Sequence, residues 1–135
     1  MKRQDNPVLV FGLLGNAAFS LTTGLILITS ATPVAEVLGL ERPGDLRFLG
    51  LNLIGFAAWL VIAYRRKRTL VPEIYVISAL DALWVAGSLI ILSLGLAPLT
   101  LVGSWIVAGV ALAVALFMTL QIMGVRRQQA LQSPA

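Results

Sequence analysis

The chain has 135 residues, 59% of them apolar and 12% charged, with a mean hydropathy of +0.93 and a formal net charge of +4. That balance excludes an ordinary soluble domain. The lack of cysteine and histidine excludes disulfides, thiolate chemistry, histidine-ligated haem and most zinc or copper sites, so no cofactor is expected.

The charges are segregated. Residues 8–29, 48–64 and 82–125 carry none, and Pro98 divides the last run. A helix needs about 20 apolar residues to cross the hydrocarbon core, so the pattern predicts four spans, at about 8–29, 46–64, 73–95 and 99–124. The expected fold is all-α, a single integral membrane domain built as a four-transmembrane-helix bundle. Lys2 and Arg3 ahead of the first run, with small residues near Ser30 and Ala31, also suit a signal peptide. The uncharged run is longer than the usual hydrophobic region of about 7–15 residues, so it is read as a retained span.

Between spans one and two a short amphipathic helix is expected. Thr32 is its predicted N-cap, Pro33 suits its first position, Val34, Val37 and Leu38 share a face, and Gly39 offers a stop. Pro43-Gly44 then reads as a turn and Asp45 as the N-cap of span two. The basic run Arg65, Arg66, Lys67 and Arg68 joins spans two and three. It reads first as a topology determinant and secondly as a surface for anionic lipid headgroups. The connection around Gly95 to Pro98 is short, which makes spans three and four antiparallel neighbours. After span four, residues 128–135 read as a polar tail that frays.

Eight of the ten basic residues fall on one side of these spans, whereas Arg42 and Arg47 share the other with Glu36, Glu41 and Asp45. The positive-inside rule therefore places both termini in the cytoplasm. The basic residues serve topology and form no independent folded face, so no nucleic-acid partner is expected. Glu36, Glu41 and Asp45 read as a solvated loop before they read as a weak cation site.

Asp81 is the one acid in the interior of a span, Glu73 standing at the very start of span three. A charge at the centre of a membrane helix costs about 2.5–3.5 kcal/mol on insertion scales, so such residues face the bundle and find partners. At a rise of about 1.5 Å per residue, Asp81 and Asn16 lie about 13 Å above the basic-side ends of their spans, Asn52 about 18 Å and Thr119 about 10 Å. One polar residue from each span is thus expected in a common layer. Ser78 and Trp84 share a helix face with Asp81. Small and polar residues form stripes on span one, at Gly12, Asn16, Ser20 and Gly24, and on span four, at Ala111, Ala115 and Thr119 with Gly109 and Ala113 alongside. Such stripes let helices approach closely in lipid.

Three roles for Asp81 remain open. It fixes helix register through Asn52 or Asn16, it holds a proton or a lipophilic cation beside Trp84, or it meets a donor on another protein's helix. No second buried acid or base stands near it in the sequence, so the chain is not expected to be an enzyme. The leading expectation is an accessory or scaffold protein that associates with a partner membrane protein or with itself through its small-residue faces. The alternative is a transporter-like or small-ligand-binding bundle, which requires a water-reachable cavity bounded by Asp81, Asn52, Asn16 and Trp84.

Pro33, the segment Leu38 to Leu40, the opening of span two (DLRFLGLNLIGFAAW) and ALDALWVAGSL in span three give the layout a resemblance to small four-helix bacterial membrane proteins of the DoxX-like kind. The resemblance implies a bacterial inner-membrane location and a four-span fold. Some members of such families are suspected accessory subunits of redox or envelope systems, but no cofactor-ligand pattern here transfers a redox role. The chain resembles small multidrug exporters less, since their essential acid lies in the first span, where this chain has Asn16.

Overall fold

The computed structural model describes residues 6–66 and 70–133. Lys2, Arg3, Lys67 and Arg68, named above for topology or headgroup contact, lie outside them. Five helices follow in order: α1 (Pro7–Thr29), α2 (Ala31–Leu38), α3 (Pro43–Arg65), α4 (Val71–Leu94) and α5 (Leu101–Gln132). There is no strand among the described residues. Helices α1, α3, α4 and α5 are each long and apolar enough to cross a membrane, and α2 is the short helix between the first two. The chain is a multi-pass membrane protein with an all-α bundle. Large apolar side chains exposed on every span, among them Phe11, Phe48, Leu83, Trp105 and Leu112, form the surface that lipid covers.

Several helix ends differ from expectation in instructive ways. Pro43 and Gly44 do not make a turn but begin α3, and Arg42 rather than Asp45 occupies the capping position. Proline at the first helical position costs no hydrogen bond, and Asp45, the third helical residue, is favoured by the positive end of the helix. Helix α2 begins at Ala31, ahead of Thr32, and has no side-chain cap. Its nearly continuous succession from α1, broken only at Ser30, leaves little room for one. Gly39 does end α2, at φ 84° in the left-handed region that glycine adopts without penalty. Helix α5 runs to Gln132, through most of the predicted polar tail, because Arg, Gln, Ala and Leu all favour helix.

Two apolar cores lie at opposite ends of the bundle. At the end marked by Arg65 of α3 and by Arg126 and Arg127 of α5, Leu9 and Leu13 of α1 pack with Leu60 of α3, Ile74 and Ile77 of α4 and Val125 of α5. At the α2 end, Leu27, Ala31, Ala35, Leu38 and Leu46 form a second core, to which α4 contributes nothing. Helix α1 packs on both α3 and α5, and α4 packs on α5, but α3 and α4 do not pack closely along their lengths. The two meet near the basic end, where the Trp59 indole donates to Glu73 Oε1 at 2.8 Å and Arg66 lies 3.4 Å from the same carboxylate.

Glycine sets the closest approaches. A Cβ on Gly24 would lie 2.7 Å from the carbonyl oxygen of Gly50, and the converse holds for Gly50, so α1 and α3 touch backbone to backbone. Gly124 meets Leu9 in the same way across α1 and α5. The stripe on α1 is therefore used inside the chain, as Gly12, Ser20 and Gly24 are all buried. The stripe on α5 is used only in part: Gly109 is exposed with open space around it and Ala113 is only half-buried, whereas Ala111, two residues from each, turns to the interior.

Candidate functional site: an intramembrane cavity above a carboxyl cluster

Between the two cores lies a polar cluster. Asn16 Nδ2 of α1 donates to Asp81 Oδ2 of α4 at 2.8 Å, and Ser20 Oγ donates to Asn16 Oδ1 at 3.2 Å. The Gln121 amide of α5 approaches the same carboxylate. Gln121 also accepts from Ser78 Oγ at 3.2 Å and donates to the carbonyl of Gly12 at 3.3 Å. Asn16, Ser20, Ser78, Asp81 and Gln121 are all buried, which a membrane interior tolerates because each has a partner.

Asp81, Asn16 and Ser78 stand in the cluster as expected, Ser20 joins it although it was expected only as a packing residue, and two expected members of the layer lie elsewhere. Thr119 is exposed, and its hydroxyl returns to the carbonyl of Ala115 at 2.8 Å. Gln121, two residues on, points inward in its place. Two residues on an α-helix are about 200° apart, so only one of the pair can face the bundle. The buried neighbours Ala111, Val114, Gly124 and Val125 give α5 an inward face that includes Gln121 and excludes Thr119. Asn52 does not reach Asp81 by a hydrogen bond; its Nδ2 donates to the carbonyl of Phe48 in its own helix at 2.8 Å.

A second missed residue is Asn6. It is fully buried, caps α1 by accepting from the Leu9 amide, and donates to the carbonyl of Gly124 at 2.7 Å. Asparagine immediately before a proline at the first helical position was the available signal.

Above Asp81, toward the α2 end, the helices line a partly open cavity of about 370 Å³. Asn16, Ser20, Asn52, Asp81 and Trp84 line it, and all five helices contribute wall residues. The rest of the wall is largely apolar, with Phe19 and Phe56 supplying aromatic faces and Val34 and Leu38 of α2 closing the top. Trp84 Nε1 is buried and has no hydrogen-bond partner among the described residues. The carboxyl at the floor, the free indole N–H on the wall and the aromatic faces make one polar anchor in an apolar chamber. Its size falls in the range of about 300–1,000 Å³ typical of small-molecule sites.

The headgroup candidates fare differently from one another. Arg65 ends α3 and is exposed, whereas Arg66 is engaged with Glu73. No group of three or more metal-ligating side chains is assembled among the described residues.

No protein-family model, curated protein or solved structure matches the chain. The site's chemistry is therefore read from its own residues.

Proposed function

We propose that this protein is a non-enzymatic, transporter-like bundle that binds a lipophilic amine within the membrane. The observation that carries this reading is the cavity itself, bounded by Asp81, Asn16, Asn52 and Trp84. A purely structural Asp81 needs only its amide partners and no chamber beside it. An amine nitrogen at the floor shares a proton with the Asp81 carboxyl, and its apolar body fills the space among Phe19, Phe56 and Val110. Among the described residues no cationic side chain lines the cavity, so the ligand itself supplies the complementary charge.

Equilibrium binding of dibenzylamine to the protein in lipid nanodiscs tests this. Saturable binding at one site is expected, weakened about tenfold or more in Asp81→Asn, equivalent to about 1.4 kcal/mol. Equal binding by the wild type and Asp81→Asn defeats it.

The proposal places the protein in a bacterial inner membrane with both termini in the cytoplasm. The eight of ten basic residues that fall on one side of the spans and the DoxX-like resemblance support that placement. Protease accessibility of a C-terminal tag in inside-out and right-side-out vesicles tests the orientation.

One observation favours the accessory-subunit reading. Gly109 leaves an unfilled notch on the exposed face of α5, between Trp105 and Leu112 on the same helical row. Native mass spectrometry of the wild type and Gly109→Leu tests it, with a partner or dimer mass lost in the variant as the supporting result.

A further inference from the structure

We infer that the cavity is entered sideways from the bilayer, through the seam between α3 and α4, with Asn52 and Gly55 on α3 and Leu80 on α4 as its portal. The ligand class rests on the proposed amine-binding role, but the route stands on separate geometry.

Both axial routes are closed by packing. Toward the basic end the Leu9, Leu13, Leu60 and Ile77 core fills the bundle below Asp81. Toward the other end α2 is fastened across the top. Thr100 Oγ1 donates to the carbonyl of Val37 at 2.6 Å and Thr100 N to that of Leu38 at 3.0 Å, which ties the end of α2 to the start of α5. A Cβ on Gly103 would lie 2.7 Å from the Leu38 carbonyl oxygen, so that joint has no slack.

The seam is different. Helices α3 and α4 do not pack closely, and the core at the α2 end includes no α4 side chain. Asn52 on α3 and Leu80 on α4 line the cavity and are also exposed, as is Ile106 on α5, so the wall is thin on this side and Asn52 and Leu80 flank the one boundary where the helices do not pack closely. Asn52 and Phe56 also line a shallow groove on the outside of α3, together with Phe48, Leu51, Gly55 and Trp59. The groove and the cavity therefore share a wall, and the groove faces the region that lipid occupies. Gly55 sits in the groove but not in the cavity, with open space where a side chain would project. It keeps the approach clear at the level of Asn52.

The floor of the seam is held by the Trp59–Glu73–Arg66 contact, which joins α3 to α4 at the basic end and leaves them free to part above it. A molecule taking this path crosses Phe48, Leu51 and Phe56 before it meets Asp81. It must dissolve in hydrocarbon first and find its single polar contact last, which selects compact lipophilic amines over water-soluble ones.

The test uses the full chain in phosphatidylcholine and phosphatidylglycerol vesicles. A neutral aryl diazirine dissolved in the bilayer is photolysed and adducts are mapped by peptide mass spectrometry. Adducts on cavity residues such as Trp84 and Asp81 are expected beside those on the lipid-facing Trp105 and Leu112. In the series Gly55→Ala, Gly55→Leu, Gly55→Trp, cavity adducts fall progressively, by about tenfold at the last, while Trp105 and Leu112 adducts hold steady and report an intact fold in lipid. No cavity adducts in the wild type, or cavity adducts indifferent to Gly55→Trp, overturn the portal.

Stopped-flow binding of dibenzylamine separates the two proposals. Gly55→Trp is expected to slow association and release alike by about tenfold and to leave Kd within about twofold, because it obstructs the route and not the site. Cavity photolabelling without amine binding removes the amine and keeps the portal. Amine binding with unchanged rates in Gly55→Trp removes the portal and keeps the amine.

Discussion

Asn16 and Asp81, 65 residues apart in the chain, are joined by a 2.8 Å hydrogen bond at the floor of the cavity, although α1 and α4 are not close-packed neighbours. The contact spans the bundle through side chains alone. It makes the acid both a tie between helices and a lining group, and the two roles separate by substitution.

Asp81→Leu leaves the Asn16 amide without its acceptor in a dry environment, at an expected cost of about 1–3 kcal/mol. Asp81→Asn keeps an acceptor there and is expected to cost less than about 1 kcal/mol. Reversible unfolding in mixed micelles compares them. Equal losses in the two variants show that the amide contacts contribute nothing to the fold.

Gln121→Leu is expected to destabilise by about 1–2 kcal/mol, since it removes the partner of Ser78 and the contact to the Gly12 carbonyl. Thr119→Val removes only a bond within its own helix on the lipid side, and a change below about 0.5 kcal/mol is expected. The reverse order in the same unfolding assay would put Thr119, not Gln121, on the inward face.

Glycine positions divide by what surrounds them. Gly24→Ala drives a methyl against the Gly50 carbonyl, forcing α1 and α3 apart at a cost of about 1–3 kcal/mol. Gly109→Ala meets nothing, and its better helix propensity is expected to stabilise by about 0.5–1 kcal/mol. Thermal midpoints moving in opposite directions are the readout.

Trp59→Phe removes the donor to Glu73 while keeping an aromatic ring against Phe56, the two rings now meeting edge to face at 6.2 Å. A loss of about 0.5–1.5 kcal/mol is expected. The seam loosens at its base, so diazirine labelling of the cavity is expected to rise. Labelling that falls instead shows that the contact props the seam open.

The span count, the short helix ending at Gly39 and the acid buried in α4 were legible in the sequence alone. Each depends on a property of a contiguous segment: length of apolar run, a glycine stop, or the cost of isolating one charge in lipid. Orientation of individual side chains was less legible. In α5 nearly every residue is apolar, so hydrophobic periodicity does not tell the lipid side from the bundle side, and Thr119 was expected inward where Gln121 is the residue that α1 and α4 enclose. The same ambiguity grouped Gly109 and Ala113 with Ala111 as packing residues, of which only Ala111 is buried.

What the sequence determined by itself is that the chain is an all-α, four-span membrane protein with one acid that must find partners. What only the tertiary structure decided is which partners it found, and that a chamber stands above it. A cavity is the space left where helices diverge, and the divergence of α3 from α4 follows from how tightly Gly24 and Gly50 draw α3 onto α1 while α4 pairs with α5. No local pattern encodes that gap, because it results from three helix pairings acting together.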